Sequence, residues 1–231
     1  MHRFRRIALA LLFVLAAVWI WGEAGQWLLR WRAERLLSDI RALQPGQSTW
    51  SDAQRLMAAW SASGTSVDCT AMHCKYEIDL VQALPPILVG SPAPGAHNWI
   101  AQTAILLGVR GAAVRAGFTV QQGVLTSNWF GEQVTVPLRD WGPSEAYVPY
   151  LSVSAREAAL LHPPSAGSGE AHPMRLIHHE GLQLEFSFSS QEPAAIRSAF
   201  YNFHLACITR LHPCETPADM LPEGWQILQQ K

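Results

Sequence analysis

The chain has 231 residues, of which 49 % are hydrophobic and only 15 % charged, with a net charge of -1. Such a chain buries a sizeable core, which excludes a disordered or polyelectrolyte protein, and its charge balance argues against general binding of nucleic acid. Four cysteines fall in two close pairs, Cys69/Cys74 and Cys207/Cys214, and an even, locally paired set suits an oxidising compartment.

Residues Ile7 to Trp21 form an unbroken apolar run behind the basic stretch containing Arg3, Arg5 and Arg6. A bilayer core takes about 20 apolar residues and a cleaved secretory signal roughly 7 to 15, so the run falls between the two. Gly22-Glu23-Ala24 offers a cleavage site before Gly25. Against cleavage, Trp19, Ile20 and Trp21 stand where a polar segment is expected, and Trp19, Trp21, Trp27 and Trp31 cluster where aromatic rings settle at a headgroup layer. The reading is a retained signal anchor over 1–24, with the N-terminus in the cytoplasm by its arginines and the remainder outside the inner membrane of a bacterium. Arg30, Arg32 and Arg35 beyond the run weigh against that orientation. Asn98, Asn128 and Asn202 all lack the Ser or Thr that glycosylation requires two residues on, which leans towards a bacterial envelope.

Leu29, Ala33, Leu36, Leu37, Ile40 and Leu43 recur at helical spacing, so residues 25–45 read as a juxtamembrane stalk helix. Its stripe either packs on the chain's own domain or serves a protein partner or a homo-oligomer. Pro45-Gly46 ends it, and Ser48 or Thr49 caps a second helix carrying Trp50, Ala53, Met57 and Trp60 up to Gly64. The segment LQPGQSTWSDAQRLMAAW resembles the opening of small envelope-assembly lipoprotein domains, in which a short helix precedes a strand hairpin. It covers a small part of the chain, and no family is assigned on it.

Val67, Cys69, Cys74, Tyr76, Ile78 and Leu80 alternate around a short gap, which predicts a disulfide-clasped β-hairpin. The proline- and glycine-rich stretch 84–97 reads as a connector and a sub-boundary within a domain spanning 46–231. A buried helix is expected after Asn98. Strands are expected over Ala113 to Gln121, Val124 to Trp129 and Gln133 to Val136, with turns at Gly123 and Gly131. Another strand is expected over Tyr147 to Ser154, with Ser154 to Glu157 capping a helical turn. Residues 162 to 173 read as a loop. Glu180-Gly181 is a hairpin turn before Leu182, Leu184, Phe186 and Phe188, the clearest alternation in the chain. A final helix opens at Pro193 with Ile196, Phe200, Phe203 and Cys207 on one face, tied to the tail through Cys214.

The expected fold is therefore α+β: an N-terminal transmembrane helix followed by an extracytoplasmic domain of antiparallel sheet with flanking helices. For chemistry, the candidates are His162, His172, His178 and His179 with Glu170 and Glu180, since histidine is the usual base and metal ligand near neutral pH. No pair of them has the spacing that puts two imidazoles on one helical face. A zinc site from the four cysteines misses the usual two-residue knuckle, so disulfides are the better reading. Neither Gly-x-Ser-x-Gly, Cys-x-x-Cys nor a nucleotide-binding glycine loop occurs. No catalytic residue, metal ligand or cofactor is assigned. The expected role is a non-catalytic binding or scaffolding domain held near the membrane. The rival readings are an envelope hydrolase or metal-dependent enzyme using the His162 to Glu180 segment, and a structural subunit of a membrane complex.

Overall fold

The computed structural model describes residues 2–67, 69–82, 111–136, 150–159, 172–178, 181–210 and 214–229; for 172–178 and most positions before Trp19 it describes the backbone alone. The first helix, α1, runs unbroken from His2 to Ala42. At about 1.5 Å per residue it is roughly 60 Å long. It stops where the sequence predicts. Leu43 donates its backbone N–H to the Ile40 carbonyl, and Gly46 takes a φ of 83° that favours glycine. The second helix, α2 (Trp50–Ala59), is capped by Thr49 and Asp52, each side chain bonding the other's backbone end.

Seven strands form one sheet: β1 (Gly64–Val67), β2 (His73–Gln82), β3 (Ala112–Gln121), β4 (Val124–Thr135), β5 (Tyr150–Ala158), β6 (His172–His178) and β7 (Gly181–Ser189). Their order is β1-β2-β3-β4-β5-β7-β6. Every neighbouring pair is antiparallel except β5 and β7, which run parallel, so the sheet is mixed rather than purely antiparallel. The β6–β7 hairpin enters with its second strand inward. Leu184, Phe186 and Phe188 of β7 are buried between β5 and β6, whereas β6 carries Pro173 and, among the described strands, pairs with β7 alone.

Three expectations on the strands differ from the structure. Gly131 does not turn the chain; β4 continues through it, pairing there with Arg115 of β3 and Ser154 of β5, and a Cβ on it would lie a tight 3.0 Å from that of Ser154. Ser154 and Glu157 cap no helix, since β5 extends through both and pairs on each side. His172 and Pro173 belong to β6, not to a loop. The turn at Gln122-Gly123 is as expected, with φ of 51° and 80°, the left-handed pair that matches a two-residue hairpin. The connector 84–97, the helix after Asn98 and the turn at Glu180 lie outside the described residues.

One face of the sheet is covered. Its core takes Ile78 and Leu80 from β2, Val114, Ala116 and Phe118 from β3, Phe130 and Val134 from β4, and Leu151 and Val153 from β5. Against these pack Leu29, Ala33, Leu36, Leu37, Ile40 and Leu43 of α1, so the helical stripe read as a stalk belongs to the domain core. The final helix is shorter than expected: α3 (Ala194–Phe200) stops at Tyr201, and a 3₁₀ turn, Leu205–Ile208, carries Cys207. Phe200 meets Phe186 and Phe188 at 5.3 and 5.1 Å between ring centroids. Two short helices close the chain, α4 (Pro217–Met220) and α5 (Pro222–Gln229). Disulfides join Cys69 to Cys74 and Cys207 to Cys214.

Gln82, Ala112, Val134, Tyr150 and Gly181 share one end of the sheet through their register. There α1 meets β2, with the Gln82 amide donating to the Gly22 carbonyl at 3.0 Å. Further along, the buried Asn128 of β4 donates to the carbonyls of Ile40 and Leu43 at 3.1 and 2.8 Å, satisfying groups that the helix end leaves open.

Candidate functional site

Alternation fixes which side chains line the second face of the sheet, because successive residues of a strand point to opposite sides. Arg115 of β3, Trp129 and Gln133 of β4, Ser152, Ser154 and Arg156 of β5, and Gln183 and Glu185 of β7 are half-buried or exposed on this face. Together they border a groove of ≈ 200 Å³. Two exposed ion pairs cross strands here: Arg115 Nε to Asp79 Oδ1 at 3.1 Å and Arg156 Nε to Glu185 Oε1 at 3.5 Å. Solvent screens such pairs, so each guanidinium can exchange its carboxylate for a ligand at little cost. Gly117 gives Trp129 its place. A Cβ on it would stand 2.7 Å from the indole Nε1, so the ring lies across β3 only because that side chain is missing.

These groups offer an aromatic surface, amides, hydroxyls and paired charges of both signs. Ser154 of β5 stands opposite Glu185 of β7 in the register. The arrangement suits recognition of a polar surface.

A second hollow, ≈ 520 Å³, lies between the end of α1 and α2 beside Arg35, Asp39, Gln44, Ser48, Asp52 and Arg55. Its polar groups serve the fold: Asp39 accepts from the Trp60 indole at 2.8 Å, Asp52 caps α2 and pairs with Arg55, and Ser48 Oγ accepts from the Gln44 backbone.

Beneath the sheet's covered face lie the buried polar residues. Tyr201 donates its hydroxyl to Asn128 Oδ1 at 2.6 Å, and burial raises its phenol well above the ordinary range. Glu157 is paired with Arg197 at 2.7 Å, yet burial still outweighs the cation and raises its carboxyl. Glu132 is 1 % exposed and neither carboxyl oxygen has a hydrogen-bond partner. Burial raises its carboxyl well above the usual range, with Arg30 opposing.

The histidine-rich segment is described only in part. His162, Glu170, His179 and Glu180 lie outside the described residues. His172 and His178 stand at opposite ends of β6, pairing with Ser187 and Gly181. Six residues of strand separate their backbones by about 20 Å, too far for both to serve one metal ion or one reacting atom. Among the described residues no group of three His, Cys, Asp or Glu is placed to hold a metal. The four cysteines are disulfide-bonded, and none is free.

The open-face groove escapes sequence reading because its members come from four strands. Only the alternating polar positions of β5 (Ser152, Ser154 and Arg156) and of β7 (Gln183 and Glu185) hint at it. Among the described residues no helix is long and apolar enough to cross a membrane; most side chains of the run 7–21 lie outside that description. Comparison with family models, with curated proteins and with solved structures finds no match.

Proposed function

We propose that the chain is a single-pass protein of a bacterial inner membrane, N-terminus in the cytoplasm, whose disulfide-bonded α+β domain binds a protein partner on its open sheet face without catalysing a reaction. One observation carries the anchor. Every described side chain of α1 before Gly22 is exposed, including Phe13 at 77 % and Trp21 at 83 %, while burial by the domain begins only at Gln26. An apolar helix half whose described side chains are exposed is unfavourable in water by roughly 25 cal/mol for each apolar Å² it exposes, so it calls for lipid. Two disulfides favour the oxidising side of that membrane. The binding role is supported by the groove around Trp129, whose composition is that of a recognition surface with charges kept to cross-strand pairs.

Alkaline carbonate extraction of native membranes tests the anchor: the full chain is expected in the pellet with both disulfides intact on mass mapping. Recovery in the supernatant with free thiols sinks the reading. Cross-linked pull-downs of the full chain and of Trp129→Ser test the binding face. The variant is expected to lose the partner that the parent captures, and the same partner captured by both removes the groove from consideration.

A further inference from the structure

We propose that the outward strip of α1, Ile20, Ala24, Trp27, Leu28 and Trp31, is seated in the headgroup layer of the outward leaflet, so that the domain rests on the bilayer instead of hanging from a stalk. This rests on the anchored reading above. The five residues follow helical spacing, and the large ones are exposed at 60 % for Ile20, 58 % for Trp27, 58 % for Leu28 and 59 % for Trp31. They lie opposite the stripe that the domain buries, Gln26 at 0 %, Leu29 at 6 % and Ala33 at 0 %. This stretch of helix is thus covered by protein on one side and apolar on the other. Past Trp31 the same outward face turns polar with Arg35 and Ser38, both exposed.

The position of the strip along the helix names its occupant. The run Ile7 to Trp21 spans about 22 Å, short of a hydrocarbon core of roughly 30 Å. The bilayer makes up the difference by drawing in the next turn and by thinning, so its outward boundary falls between Trp21 and Gln26. That turn is prepared for it: the Gln26 side chain is buried and the Gly22 carbonyl is bonded by Gln82. Trp27 and Trp31 then stand roughly 2 to 15 Å past the boundary along the axis, and helical side chains lean back towards the N-terminus, bringing both rings down into the headgroup layer. The Arg30 guanidinium sits 5.5 Å from the centre of the Trp27 ring, which places a cation at phosphate level. A second copy or a partner helix on this strip would have to compete with lipid that already surrounds the residues directly before it.

The test is tryptophan quenching of the full chain in phosphatidylcholine–phosphatidylglycerol vesicles whose acyl chains are brominated either near the headgroup or deep in the core. Trp27→Phe/Trp31→Phe is compared with the parent, a change that keeps both side chains aromatic. Two of four membrane-edge tryptophans are removed, so the variant is expected to lose about half of the quenching by shallow bromine. If shallow quenching is the same in both proteins, the strip stands clear of lipid and this inference is overturned, while the anchor survives through Trp19 and Trp21. If neither lipid quenches the parent, the anchored reading falls with it.

Discussion

Glu132 gives the domain a pH dependence whose sign and slope follow from where it sits. It faces the covered side of the sheet, opposite Val114 and Val153, and no hydrogen bond compensates its charge. The folded state therefore holds its proton to a higher pH than the unfolded chain, which releases it near the ordinary value of 4.5. Between those two points the folded protein binds one more proton than the unfolded one, so stability falls as pH rises. The contribution is complete below the unfolded value and is lost at up to about 1.4 kcal/mol per pH unit until the folded value is passed. Glu132→Gln keeps the shape and removes the titration. For a domain of this size that slope corresponds to about 3 to 5 °C in Tm per pH unit. Thermal unfolding of the full chain in mild detergent, followed by circular dichroism from pH 5 to pH 8, is expected to show the parent losing Tm relative to the variant as pH rises, at no more than that slope. Glu157, shifted in the same direction, is common to both proteins and cancels. Parallel Tm profiles for the two would refute the assignment of an uncompensated buried carboxyl.

Leu36 and Ile40 are both 0 % exposed, so Leu36→Asp, which would spare the fold if the stripe served a partner, is expected to unfold the domain; loss of the cooperative transition is the readout, and a folded variant would contradict the packing. Asn128→Leu leaves the Leu43 carbonyl and the Tyr201 hydroxyl without their partner and takes one of two donors from the Ile40 carbonyl, which is expected to cost about 3 kcal/mol in denaturant unfolding. Replacing Cys207 and Cys214 together by serine opens a short loop and is expected to cost about 2.5 kcal/mol, measured against the parent under oxidising conditions.

Where a pattern depends on neighbours in sequence, it was legible. The spacing from Leu29 to Leu43 gave the buried face of α1, the alternation of Leu182 to Phe188 gave β7, and the cysteine pairs gave both disulfides. What depends on a partner strand was not. Gly131 carries the same turn signal as Gly123, and pairing with Arg115 and Ser154 on the neighbouring strands makes it a strand residue. Ser154 and Glu157 have the spacing of a helix cap, but pairing with β4 and β7 overrides that local preference. The parallel pairing of β5 with β7 cannot be read locally, because either strand of the β6–β7 hairpin satisfies a hairpin pattern. Glu132 interrupts an apolar alternation in a way that reads as a surface position, yet it is buried.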